Sequence, residues 1–294
     1  MPAMRIRVPA STSNLGHGFD CLGMALTLAN EITVLEGPAP AELRQEGLER
    51  LCGAVREQCQ QVFGGPALPE VHLQITGTVP IARGLGSSAT IILALAAAYQ
   101  RLAGRDEDRQ ELVRIGYGIE GHPDNVAAAA LGGFTIAAHL ASGLRCLHFP
   151  VPAELGVVVV IPDYEVVTAA ARRVLPESLS REEAVRGWQR ASLISAALAS
   201  GQPAALVDCF QQAWHEHYRA ELNPELEGLR AAAGAAGAWG TFLSGSGSTI
   251  LSLCPHSRAA AIAETLSAHL RAKGTSAQVQ ACQADNQGLC WLPD

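Results

Sequence analysis

No Gly-Lys dipeptide occurs anywhere in the 294 residues. That absence removes the P-loop, which needs G-x-x-x-x-G-K-[ST]. No C-x-x-C pair occurs among the eight cysteines either, so zinc-ribbon spacing is missing. Metal sites need clustered ligands. The scattered cysteines therefore read as reduced, mostly buried thiols of a cytoplasmic protein. No basic cluster stands out: Lys and Arg number 21 against 28 Asp and Glu, a net charge of -7. Nucleic acid and anionic membranes need clustered Lys and Arg, so neither is expected as a partner. A small anionic ligand stays open, because a local backbone site needs no net positive charge. The longest apolar run, Ala89 to Tyr99, is shorter than the roughly 20 residues that span a bilayer. The first residues, "MPAMRIRVPAS", hold no apolar signal core. There is no repeat and no low-complexity tract.

What is present is enough for a packed core. Apolar residues make up 48% and charged residues 17%, outside the range of disordered chains. The length allows two compact domains or one large one. "MRIRVPA" and "HLQITGTV" alternate as half-buried strands do, and "NEITVLE" reads as another strand. Ser87 to Leu102 is apolar nearly all round, which predicts a buried helix. A polar helix is expected over Asp106 to Gly118, followed by paired strands in "GGFTIAAHL" and "LRCLHF". "FPVPAEL" interrupts the periodicity with two prolines and places a domain boundary at 152/153, giving domains 1–152 and 153–294. In the second half, "LGVVVVIP" reads as a buried strand, and several helices follow between Glu165 and Ala236. "WGTFLSG" and "STILSLC" read as two strands, then come a helix over Ser257 to Ala272 and a last strand, "SAQVQAC". The order β-α-β-β-α-β is the ferredoxin-like split pattern.

Three glycine-rich stretches carry the chemistry. "PASTSNLGHGFDCLG", Pro9 to Gly23, follows the first strand and offers Asn14 and Asp20. It is either a ligand loop or an ordinary loop with turn-forming Asn and Asp. "PIARGLGSSATIILALAAAYQ", Pro80 to Gln100, places Gly84 and Gly86 between a strand and a helix. The free N–H groups of a helix's first turn attract anions, and Ser87 and Ser88 can cap the helix and donate to oxygen. A Ser-capped core helix after a glycine turn gives the same letters. "GLGSSA" also fits G-x-G-x-x-[GA], but a dinucleotide fold needs a second strand ending in an acid about 20 residues on. That distance falls in the polar "GRDEDRQEL". "GTFLSGSGSTI", Gly240 to Ile250, is a hairpin turn or a polar wall of a site. Between them, "IEGHPDNVAAAALGGF" crowds Glu120, His122, Asp124 and Asn125 at a helix start. That is an acidic capped N-terminus or an active-site cluster.

In this order, the four pieces resemble the GHMP kinases. "PIARGLGSSA" matches the family's phosphate loop residue for residue, and "GTFLSGSGST" is similar to its C-terminal glycine motif. "VPASTSNLGHGFDCLGMAL", "EGHPDNVAAAALGGF", "TAAARRVLP" and "WHEHYRAEL" resemble the branch that phosphorylates homoserine. His17 and Ser248 stand where that branch usually has proline, which frees two loop positions. The resemblance implies an α+β, two-domain GHMP kinase fold. Its N-terminal domain would be ribosomal-protein-S5-like and its C-terminal domain ferredoxin-like, with the active site between them. It implies phosphorylation of the L-homoserine hydroxyl by ATP with Mg²⁺, a step of threonine biosynthesis. Another alcohol such as threonine, or a non-catalytic ATP-binding sensor, is the alternative.

The same resemblance distributes roles. Pro80, Ile81, Ala82, Arg83, Gly84, Leu85, Gly86, Ser87, Ser88, Ala89 and Thr90 would hold the ATP phosphates. Ser88 and Glu120 would contact Mg²⁺, a hard ion that keeps few protein ligands. Arg172 and Arg219 match the carboxylate-binding arginines, with Thr168 beside them. Asn14, Asp20 and His122 would take the ammonium group or orient the substrate. Asn125 would position the reacting hydroxyl, and Asp124 and His122 are the reserve candidates for proton transfer. A homodimer is expected from the family alone.

Overall fold

Strand β1 (Met4–Ser13) begins with Met4, Ile6 and Val8 buried and Arg5 exposed, the alternation of a half-buried strand. The alternation stops at Pro9, where the register with the next strand shifts, and residues 8 to 13 are all buried. Proline has no N–H for the ladder, and a bulge there is the usual consequence. The remaining elements of the first half are β2 (Leu22–Glu36), α1 (Glu46–Phe63), β3 (Val71–Gly77), α2 (Ser87–Leu102), α3 (Arg109–Glu120), α4 (Asp124–Leu131), β4 (Phe134–Leu140) and β5 (Gly143–Phe149). They are followed by β6 (Leu155–Pro162), α5 (Thr168–Arg173), α6 (Arg181–Ala199), α7 (Trp214–Tyr218), α8 (Leu226–Ala235), β7 (Gly240–Leu243), β8 (Ile250–Pro255), α9 (Ala259–Lys273), β9 (Ala277–Cys282) and β10 (Cys290–Trp291). The structure, a computed structural model, describes residues 3–293. The outermost bounds of the expected domains, residues 1 and 294, lie outside the described residues.

The first sheet has the order β10-β1-β2-β4-β5, with β3 also on β2. Two partners on one side of β2 are compatible because the strand has 15 residues: its outer half, Asn30 to Glu36, pairs with β3 and its first three residues with β4. Helix α2 lies behind the sheet, buried from Ala89 to Gln100 except at Ile91. Its first turn is open, with Ser88 exposed. Burial of that body fixes where the open end points.

The second sheet runs β7-β8-β6-β9, antiparallel throughout. Numbered along the chain, its strands stand in the order 4-1-3-2 from one edge, so the ferredoxin-like pattern is present. All eight residues of β6 are buried. Val158 and Val160 pack with Leu229 of α8 and Ile262 and Leu266 of α9. Val157 and Val159 pack on the other face with Met24, Leu26 and Phe242. Because both faces are covered, the strand reads as a continuous apolar run.

After β9 the chain returns to the first sheet. Asp285 donates its N–H to the Ala25 carbonyl and pairs with Arg7 at 2.7 Å, and Cys290 and Trp291 pair with β1. We keep the division at 152/153 as a proposal, with a C-terminal tail that ends on the N-terminal sheet. Two helix bounds differ from expectation. Helix α3 starts at Arg109 because the Asp108 carboxylate accepts the Glu111 N–H and caps it. Helix α9 starts at Ala259 because a 3-10 turn occupies His256–Arg258. No helix is long and apolar enough to cross a membrane among the described residues.

Candidate active site

The expected phosphate loop ends on a glycine N-cap, where the sequence predicts a serine cap. Gly86, at φ 68°, is the N-cap of α2, and no side chain caps the helix. The expected serine cap is therefore not formed. The first intrahelical bond is Thr90 N–H to the Gly86 carbonyl at 3.1 Å. This leaves the N–H groups of Ser87, Ser88 and Ala89 without a protein acceptor among the described residues, at the positive end of the helix dipole. A Cβ on Gly86 would stand 2.3 Å from Ser11 Oγ, and one on Gly84 would stand 2.2 Å from the Ser244 carbonyl. Only glycine fits either place, and both have positive φ.

Not every residue of the expected phosphate set faces outward. Leu85, Ala89 and Thr90 have side chains in the core. Thr90 Oγ1 donates to the Ser87 carbonyl at 2.7 Å and accepts from Asn30 at 3.0 Å. With its N–H also used, Thr90 supports the loop from behind. The Arg83 side chain points to the second domain, bonding the carbonyls of Pro162 and Asp163 and pairing with Glu165 at 3.2 Å. Ile81 is 74% exposed, Pro80 half-buried, and Ala82 holds Val166 through its carbonyl. The cradle thus narrows to Gly84, Gly86, Ser87, Ser88 and the Ala89 amide. Lys273, the single lysine of the sequence, sits at the end of α9, so the cradle is built from backbone N–H groups and hydroxyls.

The other glycine stretches close on this loop. Ser11 N–H donates to the Leu85 carbonyl, Ser244 Oγ to Gly84 O at 2.6 Å, and Thr249 N–H to Arg83 O. Asn125, at the start of α4, is held by both ends of its amide: Oδ1 accepts from Ser11 Oγ at 2.9 Å and Nδ2 donates to Ser13 Oγ at 3.0 Å. In this arrangement Asn125 ties β1 to α4. Ser88 Oγ donates to Glu120 Oε1 at 2.5 Å. Burial pushes the Glu120 carboxyl above its ordinary range, against the Ser88 bond and nearby His122, which pull it down. His122 Nδ1 lies 3.2 Å from Asp124 Oδ1 and 3.8 Å from Glu120 Oε2. Burial alone would lower its pKa, but the bond to Asp124 and the two negative charges together raise it.

A second cluster stands beside the first. Arg172 grips Asp20 with both arms, at 2.6 and 3.0 Å, and this bond holds the guanidinium pKa above its ordinary value. Arg219 is 2% exposed. Burial and the Arg172 charge lower its pKa to about 10. Both guanidinium carbons lie 5.4 Å from the Phe19 ring, within cation–π range. Thr168 Oγ1 is 3.3 Å from Ser246 Oγ. Asn14, at φ 70°, donates to the Gly245 carbonyl at 2.9 Å and accepts the Asp20 N–H at 3.1 Å, so it braces the loop that presents Asp20. His17 bonds the Gln211 carbonyl at 3.0 Å, and Ser248 Oγ donates to Tyr164 O at 2.6 Å. Each therefore gains a bond at a position where the resemblance expects proline.

Sequence reasoning missed Ser11, Ser13, Phe19 and His215. The S-x-S of "ASTSN" on a strand end was the available signal for the first two.

Two family models match this chain: the GHMP kinases N terminal domain over residues 49–133 and the GHMP kinases C terminal domain over residues 194–272. The chain belongs to the GHMP kinase family. It is a kinase, and its α+β fold is the two-domain GHMP fold. A homoserine kinase of Nostoc sp. is 38% identical to this GHMP kinase, over 97% of the chain and 98% of the relative. One from Microchaete diplosiphon is 36% identical over 99% and 97%. The crystal structure of homoserine kinase from Cytophaga hutchinsonii covers 99% of this GHMP kinase and 98% of its own chain, with a TM-score of 0.87 at 24% identity. That likeness carries the fold.

Proposed function

We propose that this GHMP kinase transfers the γ-phosphoryl group of ATP to the side-chain hydroxyl of L-homoserine, giving O-phospho-L-homoserine and ADP. The observation that carries the reading is the juxtaposition of a lysine-free phosphate cradle at Gly84–Ser88 with Arg172, Arg219 and Asp20 around Phe19. A zwitterion needs two such charges of opposite sign. Its carboxylate would face the guanidinium forks, which suit it better than an ammonium would. Its ammonium would face Asp20. The curated relatives named homoserine kinase support the same substrate.

Ser88 and Glu120 fit a magnesium ion: a hydroxyl and a carboxylate, both hard oxygen donors, already within bonding distance, with a buried carboxylate that a cation would relieve. Mg²⁺ bound there would neutralise charge on the phosphate oxygens. Most of the remaining work is positioning. The three N–H groups of α2 would hold the phosphates, and the 240–250 hairpin would close the wall. Phosphoryl transfer through a loose transition state asks little early activation of the attacking hydroxyl. Asn125 would orient that hydroxyl, and the His122–Asp124 pair would take its proton. We place the enzyme in the cytoplasm, without nucleic-acid or membrane partners, and as a homodimer.

A coupled ADP-release assay with homoserine, threonine, serine and mevalonate tests the reading. Homoserine should give the highest kcat/KM; a higher value on any of the others would reassign the substrate. Threonine is the pertinent competitor, because one methyl group is discriminated by only about 1–3 kcal/mol.

A further inference from the structure

His215 contributes nothing to the mechanism above, yet it is fully buried beside it. It lies on α7, four residues before Arg219, on the same side of the chain. Its Nε2 is 2.8 Å from the Gly16 carbonyl, and its Nδ1 is 3.2 Å from Arg219 Nη1. These two partners fix the ring's state. A carbonyl only accepts, so Nε2 carries the hydrogen. A guanidinium only donates, so Nδ1 must be bare. The imidazole is therefore neutral and held as a single tautomer. Phe19 packs on the ring at 5.2 Å and Trp214 at 5.8 Å, closing the remaining sides.

The contacts of Arg219 show what this achieves. Its Nε donates to the Ala171 carbonyl at 3.0 Å, and its two Nη1 hydrogens go to Gly245 O at 3.1 Å and to His215. Asn14 donates to the same Gly245 carbonyl. A closed circuit results: Asn14 and Arg219 both donate to the Gly245 carbonyl, Arg219 donates to His215, His215 donates to the Gly16 carbonyl, and the backbone from Gly16 to Asn14 completes it. Nη2 alone has no protein acceptor among the described residues. A buried guanidinium with one uncommitted arm, all others tied down, is oriented for a ligand oxygen.

We propose that His215 is a positioning residue for the acceptor substrate: as a neutral imidazole it locks Arg219 to the Asn14–Gly16 turn, so that Nη2 and the Asp20 carboxylate are presented at a fixed separation. The proposal rests on the reading of Arg219 as a carboxylate clamp. It predicts that His215 acts only through that clamp.

The test compares His215→Leu, Arg219→Ala and the double variant by steady-state kinetics on the full chain, after circular dichroism confirms folding. His215→Leu should raise the homoserine KM about tenfold or more, the scale of a lost bond to a charged group, with the ATP KM unchanged. The double variant should be no worse than Arg219→Ala alone. The inhibition constant of 3-aminopropan-1-ol, which lacks the carboxylate, should not move. His215→Asn keeps an acceptor near the Nδ1 position and should restore most of the affinity; His215→Gln, whose amide reaches toward the Nε2 position, should not. If Arg219→Ala raises the homoserine KM while His215→Leu leaves it alone, the positioning role is overturned and the clamp stands. If Arg219→Ala has no effect, the clamp itself is wrong. Should His215→Leu fail to fold, the Asn and Gln variants decide: a Gln variant better than Asn overturns the proposal.

Discussion

Arg172 and Asp20 are, in the free protein, each other's ligands. The arriving zwitterion must exchange one ion pair for two. Both side chains are about a third exposed, so water and salt screen the pair and its own contribution is modest. Arg172→Ala should raise the homoserine KM about tenfold and leave the ATP KM within twofold; equal effects on both substrates would remove the assignment. Glu120→Gln removes a charge next to Ser88 and should shift the magnesium requirement upward in a titration of activity against Mg²⁺. An unchanged titration would make Glu120 a structural residue. His215 gives a pH prediction. Burial, followed by the Arg219 charge, lowers its pKa to about 3, against 6.5 for the ordinary side chain. The unfolded chain therefore binds one more proton between those values. Stability from this group is complete above 6.5 and is lost as pH falls toward 3, by up to about 1.4 kcal/mol per unit. Urea unfolding at pH 7.5, 5.5 and 4.5 should show a shallower decline in His215→Asn than in the parent.

At the scale of elements, the decisive one is the turn from the phosphate loop into α2. Gly86→Val would drive a branched side chain into Ser11 and Asn125 and strain a left-handed residue. Calorimetry should find ATP binding lost, and unchanged binding would refute the cradle. The legibility of the elements follows their physics. Helix α2 and strand β6 are uniformly apolar, and such runs announce burial by composition alone. The end of β1 escapes, because buried Ser11, Thr12 and Ser13 look like loop residues until their partners Asn125 and Gly245 arrive from more than 100 residues away. The helix cap is misjudged for a related reason: local propensity favours serine, while close packing against Ser11 admits only glycine at 86. Helix α1 goes unread because only Val55 and Cys59 are fully buried among many Glu, Gln and Arg.

At the scale of the molecule, the two sheets share one site and one tail. The loop at Gly84 touches the 244–249 hairpin through two hydrogen bonds, and Gly133 accepts the Ala25 N–H on its carbonyl while its own N–H donates to the Asp285 carbonyl of the tail. Removing residues after Gln283 would delete β10, the Arg7 pair and the packing of Gly288 against Ala130. The midpoint of thermal unfolding should fall by about 5–10 °C, the effect of losing a few kcal/mol in a chain of this size. A tail that can be cut with no change in midpoint would be a mere appendage.

The buried body of α2 has one more consequence. Ala94, Ala96, Ala97 and Ala98 meet neighbours on every side, so a larger residue at any of them must displace packed atoms, at about 1–3 kcal/mol. Such changes lie one or more turns from every candidate ligand group, yet they would tilt the helix whose free end cradles the phosphates. Heat-sensitive variants, active when cool and inactive when warm, should therefore cluster at these alanines.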